Sequence, residues 1–209
     1  FRDYTNMDFL KFMSDYIQNK QQGVQRADVL ELVYKIPSSN LSNYAFRNLG
    51  EQVQFENMSQ QWGLQRPSNS NGAAYADLDN DGDLDLVVNN INLPAFVYEN
   101  KANVLTENRY LQLSLEGNAP NNQGIGAKLY LYHAGAVQYA EQSPTRGFQS
   151  SVSFVVHFGV GKHTTLDSVR VVWPSQQEQT LRNVATNQRL KLLEKEASPR
   201  RSLDPSYLV

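Results

Sequence analysis

The 209-residue chain has no cysteine at all. That excludes disulfide staples and every thiolate metal site. Histidine is almost as scarce: His133, His157 and His163 are the whole supply, and their spacing fits no three-histidine zinc motif. No apolar run is long enough to cross a bilayer as a helix. Positive charge is not in excess either. Nineteen Lys and Arg face twenty-one Asp and Glu, for a net charge of −2. Beyond Arg200-Arg201 there is no basic cluster, so nucleic acid has no footprint to bind. A phosphate loop is missing as well. Gly124-Ile125-Gly126 lacks the helix a dinucleotide site needs, and its glycines suit a tight turn or bulge. No nucleophile–base set stands out. Glu141 and Glu178 show no partner for paired-carboxylate glycoside chemistry.

What the chain does have is a run of alternating aspartates, Asp77-Leu-Asp-Asn-Asp-Gly-Asp-Leu-Asp85. Five carboxylates in nine residues repel one another unless a cation sits among them or the run is disordered. Apolar Leu86-Val87-Val88 follows directly, which argues against disorder. Hard oxygen ligands at alternate positions, with Gly82 for a sharp turn, describe a calcium loop. The expected ligands are the side chains of Asp77, Asp79, Asp81 and Asp85, with the backbone carbonyl of Asp83. The twelfth position is Val88, where an EF-hand needs a bidentate Glu. Leu84, Leu86 and Val88 then alternate as in a strand, so the loop joins strand to strand. Dockerin-like and thrombospondin-like loops share this spacing.

Ahead of the loop, Phe9, Leu10, Met13, Tyr16 and Ile17 predict a helix over 6–19, capped by Thr5 with Asp8 completing a capping box. Gly23 breaks the pattern. A second helix is expected over 27–36, with Pro37 as its stop. Residues 43–49 and 53–57 read as a hairpin, and 94–100 as a further strand.

From Arg109 onward the pattern is that of strands. Leu111/Leu113/Leu115, Leu129/Leu131, Val152/Phe154/Val156/Phe158, Val169/Val171/Trp173 and Leu190/Leu192 each alternate with their neighbours. About seven short strands suggest an antiparallel sandwich or barrel. His133-Ala-Gly-Ala136 reads as a hairpin turn. Trp173 is expected in the core beside Phe154 or Phe158, and His157 in a structural hydrogen bond. Tyr130 and Tyr132 share one side of a strand and are candidate ligand-binding residues, since such rings can stack on sugars. A shared face covered by protein is the simpler reading of that pair. Asn40-Leu-Ser42 and Asn57-Met-Ser59 match the glycosylation pattern.

The stretch "SNGAAYADLDNDGDLDLVVNN", with Asn43, Tyr44, Arg47, Asn48, Gly50, Phe55, Gly63 and Leu64 before it, resembles the FG-GAP or VCBS blade repeat of calcium-binding β-propellers. Gly124-Ile-Gly-Ala127, Gly147-Phe-Gln-Ser150, His157-Phe-Gly159 with Gly161, Val171-Val-Trp-Pro174 and Asn187-Gln188 resemble the ASPIC/UnbV domain of the acidic secreted cartilage protein family. Gln176 departs from that pattern, where a glycine is usual. The resemblance implies a mainly β chain: a helical excursion (1–40), a propeller blade segment with its calcium loop (41–104), an ASPIC/UnbV-like β domain (105–196) and a tail (197–209), loose or strapped by Leu203 and Tyr207. One blade cannot close a propeller, and no signal peptide precedes Phe1, so sister blades are expected upstream. The function expected is that of an exported, extracellular, cell-surface or periplasmic calcium-binding module. It would serve adhesion, recognition or assembly, without catalysis, toward a protein or glycan partner. The alternative is part of a polysaccharide-acting enzyme with its active site in upstream blades.

Overall fold

The computed structural model describes residues 3–20, 25–37, 41–50, 53–145, 147 and 149–199, with Ala27 described by backbone alone. Gly23 and the strap residues Leu203 and Tyr207 lie outside the described residues. The fold is mainly β, and the chain forms two compact units. The first comprises residues up to Asn71 together with Asn89–Ala95; the second comprises Gly72–Val88 and the chain from Phe96 onward.

In the first unit, helix α1 spans Met7–Asn19 and α2 spans Arg26–Lys35. The cap of α1 is Asn6 rather than Thr5. The Asn6 Oδ1 accepts from the backbone N–H groups of Asp8 and Phe9, while Thr5 binds the Asp3 carboxylate through both its N–H and its hydroxyl. Asn outranks Thr as a cap, and two candidates side by side leave the choice to local geometry. A true capping box opens α2, where Asp28 accepts from the Gln25 N–H. Phe9 and Ile36 are buried. Val29 and Leu30 of α2 are exposed. Strands β1 (Phe46–Asn48) and β2 (Phe55–Asn57) pair antiparallel as the expected hairpin.

Strands β3 (Ser70–Ala76), β4 (Asp85–Asn90) and β5 (Phe96–Tyr98) form a three-stranded sheet in that order. The aspartate run is the β3–β4 connection, so the loop does join strand to strand. A short helix α3 (Ala102–Leu105) leads out of β5.

The rest is a two-sheet sandwich. Its strands are β6 (Tyr110–Glu116), β7 (Lys128–His133), β8 (Ala136–Glu141), β9 (Val155–Gly159), β10 (Thr165–Val172), β11 (Gln177–Ala185), β12 (Gln188–Leu193) and β13 (Ser198–Pro199). One sheet runs β13-β11-β10-β7-β8, the other β12-β6-β9. Leu111, Leu113 and Leu115 of β6 meet Leu129, Leu131, Val169, Val171 and Trp173 in one core, with Phe158 and Leu192. The β7–β8 turn holds Ala134 and Gly135 at φ 49° and 78°, the left-handed pair that suits a two-residue hairpin.

Three expectations are corrected. The sandwich is not wholly antiparallel: β12 pairs parallel to β6, Leu190 opposite Leu113. The apolar alternation at 152–158 overruns its strand, which starts at Val155, and Phe154 is 40% exposed while Phe158 joins the core with Trp173. Residues 197–199, where the tail was expected to begin, are not loose, because a 3₁₀ turn at Glu194–Glu196 leads into β13, which pairs with β11.

Candidate metal centre

The aspartate loop owes its shape to its own side chains. The Asp79 Oδ1 accepts from the Asp81 N–H at 3.2 Å, and the Asp81 Oδ1 from the Asp83 N–H at 3.0 Å. Each aspartate turns the backbone two residues on, so the chain coils around a common centre. Gly82 sits at φ 96°, a left-handed conformation that favours glycine. The result brings ligand oxygens of Asp77, Asp79 and Asp81 within 4.8 Å of one another, a spacing that could hold a metal ion.

Asp83 and Asp85 are buried and are not among those three. The Asp85 carboxylate spans two backbone donors, the N–H of Leu78 and of Asn100, each at 2.9 Å. It closes the loop on itself and ties it to the segment after β5. The Asp83 Oδ2 accepts from the Asn103 N–H at 3.0 Å, and the Asn103 amide donates to the Asp81 Oδ2. Burial pushes the Asp83 carboxyl above its ordinary value, although the Asn103 N–H opposes the shift, and the charges of Asp81 and Asp85 push it further. Desolvation by the surrounding loop also raises Asp79.

Two oxygens test the fit of a cation. Asp77 Oδ1 and Asp83 Oδ1 are shut off from solvent and have no hydrogen-bond partner. A carboxylate oxygen buried without a donor is costly, and a hard cation satisfies it. An all-oxygen set of clustered carboxylates is the chemistry of calcium rather than of zinc or copper. The residues present therefore fit the ion.

Sequence reasoning missed the outer partners of the loop. Gln112 of β6 is buried and donates from Nε2 to the Asp77 Oδ2 at 2.7 Å. Arg189 of β12 donates in turn to the Gln112 Oε1 at 2.8 Å. His157 of β9 lies opposite Gln112 in register, stacks on Tyr110 at 5.8 Å between ring centroids, and has a buried Nδ1 without a partner. Its expected structural hydrogen bond is not made at that nitrogen. Burial lowers its pKa and the Asp77 charge raises it, burial being the larger influence. The one available signal was a glutamine set between Leu111 and Leu113.

Tyr130 and Tyr132 lie on one side of β7, both half-buried. The Tyr130 ring meets Tyr139 at 5.2 Å, and the Arg170 guanidinium lies 5.9 Å from its centre. Arg170 also pairs with Glu178 at 2.6 Å. The Tyr130 ring thus sits inside a protein-made cluster on the sheet.

A strand-to-strand aspartate loop precedes a β sandwich, the layout of a repeat segment joined to a second β domain. Family models agree in both parts: an FG-GAP-like repeat matches residues 26–88, and ASPIC and UnbV matches residues 117–199. The chain is an FG-GAP repeat protein with a C-terminal ASPIC/UnbV domain. No curated protein matches it. FG-GAP repeat domains are typically exported. Among the described residues no helix is long and apolar enough to cross a membrane.

Proposed function

We propose that this chain is an exported, non-enzymatic calcium-binding module, in which the ion is structural and the module serves adhesion, recognition or assembly toward a protein or glycan outside the cell. The observation that carries the reading is the buried, unpartnered Asp77 Oδ1, in a loop where Asp77, Asp79 and Asp81 converge. Asp77, Asp79 and Asp81 would hold the ion by side-chain oxygens. Asp83 and Asp85 would shape the loop and add negative charge beneath it. When bound, calcium neutralises carboxylates that otherwise repel. The ligand set lacks a bidentate twelfth residue, which favours an affinity in the extracellular range, ~10⁻⁵ to 10⁻³ M. Such a site fills where calcium is plentiful.

Calorimetry and thermal melts test the reading. Calcium should bind in that range and raise Tm, and chelator should reverse the rise. At one hundred times the dissociation constant the gain is about 2.7 kcal/mol. A melt indifferent to calcium would sink the structural role. Glycan-array binding without turnover would support recognition, whereas release of reducing sugar would replace this reading with an enzymatic one.

A further inference from the structure

The loop is gripped from outside at several points by the C-terminal sandwich and by the segment leading into it. Gln112 and Arg189 face each other in register across β6 and β12, and His157 faces Gln112 across β6 and β9. These three side chains make one row across the smaller sheet, on the face opposite the leucine core. Gln112 is 3% exposed there, because the Asp77 loop covers it. The Arg189 guanidinium donates to the amide oxygen of Gln112, which leaves the amide N–H groups to face Asp77. Tyr110 covers Gly82 so closely that a Cβ on that glycine would fall 1.9 Å from the ring. On the linker side, Asn100 and Asn103 hold Asp85, Asp83 and Asp81. Two of the three converging aspartates, Asp77 and Asp81, are thus also attachment points of the following domain and the segment leading into it.

We propose, on the basis of the calcium reading above, that this loop is a calcium-dependent clamp on the ASPIC/UnbV domain, with Gln112 as the positioning residue that couples ion to domain. Asp77 uses Oδ2 to accept from Gln112 and has Oδ1 free for the cation. Holding one oxygen aims the other, so the sandwich orients a ligand of the loop. Linkage then requires the reverse: an ion that fixes Asp77, Asp79 and Asp81 strengthens the docking of β6 and orders the Lys101–Arg109 linker. Without the ion, repulsion among the aspartates loosens the surface on which Gln112 and Tyr110 rest.

The experiment uses the full chain, with calcium alone as the probe. Trypsin can cut after Lys101 and Arg109, and calcium should slow cleavage there at least about tenfold, with little change at sites in the first unit. Gln112→Met keeps the volume and removes the donor. It should weaken calcium binding by about 10-fold or more, within the ~10–100-fold range of outer partners of metal ligands. It should also lower Tm more in calcium than in chelator. Arg189→Met, which leaves Asp77's donor in place but frees the amide to flip, should show the same pattern more weakly and serves if Gln112→Met does not fold. If wild type binds calcium but linker cleavage is unchanged, or if both variants keep wild-type affinity and lose Tm equally in calcium and chelator, the clamp is overturned while the calcium site stands. If wild type binds no calcium, both readings fall.

Discussion

Gly82 shows how much one residue can be asked to do. Its backbone is left-handed, and its missing side chain is the space the Tyr110 ring occupies. Gly82→Ala must therefore strain the turn and displace the ring from its stack on His157. A cost of about 1–3 kcal/mol is expected for the backbone alone. Urea unfolding in chelator should show a lower midpoint with an unchanged slope. Asp81→Ala tests the neighbouring position. It removes a converging ligand oxygen and the acceptor of the Asp83 N–H, so the calcium-induced rise in Tm should vanish. The aspartates were legible in the sequence because alternation and charge are local properties. Gln112 was not. A polar residue between leucines reads as a solvent-facing position, and only the packing of a distant loop makes that face interior. His157 eluded sequence reasoning for the same reason.

At the scale of elements, alternation located the strands but not their partners. Every leucine of β6 points where its period says, yet nothing in that period tells whether a neighbouring strand runs parallel or antiparallel. Alternation also failed where it continued past the strand, at Phe154. Trp173 was legible because a large aromatic at the end of a strongly alternating run has few places to go. It is 1% exposed, and its indole N–H has no acceptor. Trp173→Ala should cost ~3–5 kcal/mol, as expected for a large core aromatic. Trp173→Phe should cost well under half of that, since no hydrogen bond is lost; denaturant midpoints would compare the two.

The helical pair offers a pH test. Lys20, at the end of α1, bonds to Asp28 in the first turn of α2, and Tyr16 adds a hydroxyl to the same carboxylate. Lys20 holds the Asp28 carboxyl below its ordinary 3.8, and Asp28 holds the Lys20 ammonium above its ordinary 10.5. A lowered carboxyl stabilises above its unfolded value and loses that contribution as pH falls through the folded one. A raised ammonium stabilises below its unfolded value and loses its contribution as pH rises through the folded one. The contact should hold between these limits and weaken beyond each. Lys20→Met should flatten both arms when helix content is followed by circular dichroism.

For the whole molecule, the parallel pairing of β6 with β12 has a consequence in time. Residue 112 must wait for residue 189, so the smaller sheet is missing β12 until that later segment has been made. The aspartate loop, by contrast, leaves the ribosome more than a hundred residues earlier, in order of sequence. During that interval the loop lacks the arginine that fixes its glutamine partner. An ion or a chaperone could neutralise it in that interval, but Gln112 docks on it in finished form only once Arg189 has been made. Chains truncated before Gln188 should consequently leave one edge of β6 unpaired, and aggregate where the longer chain does not.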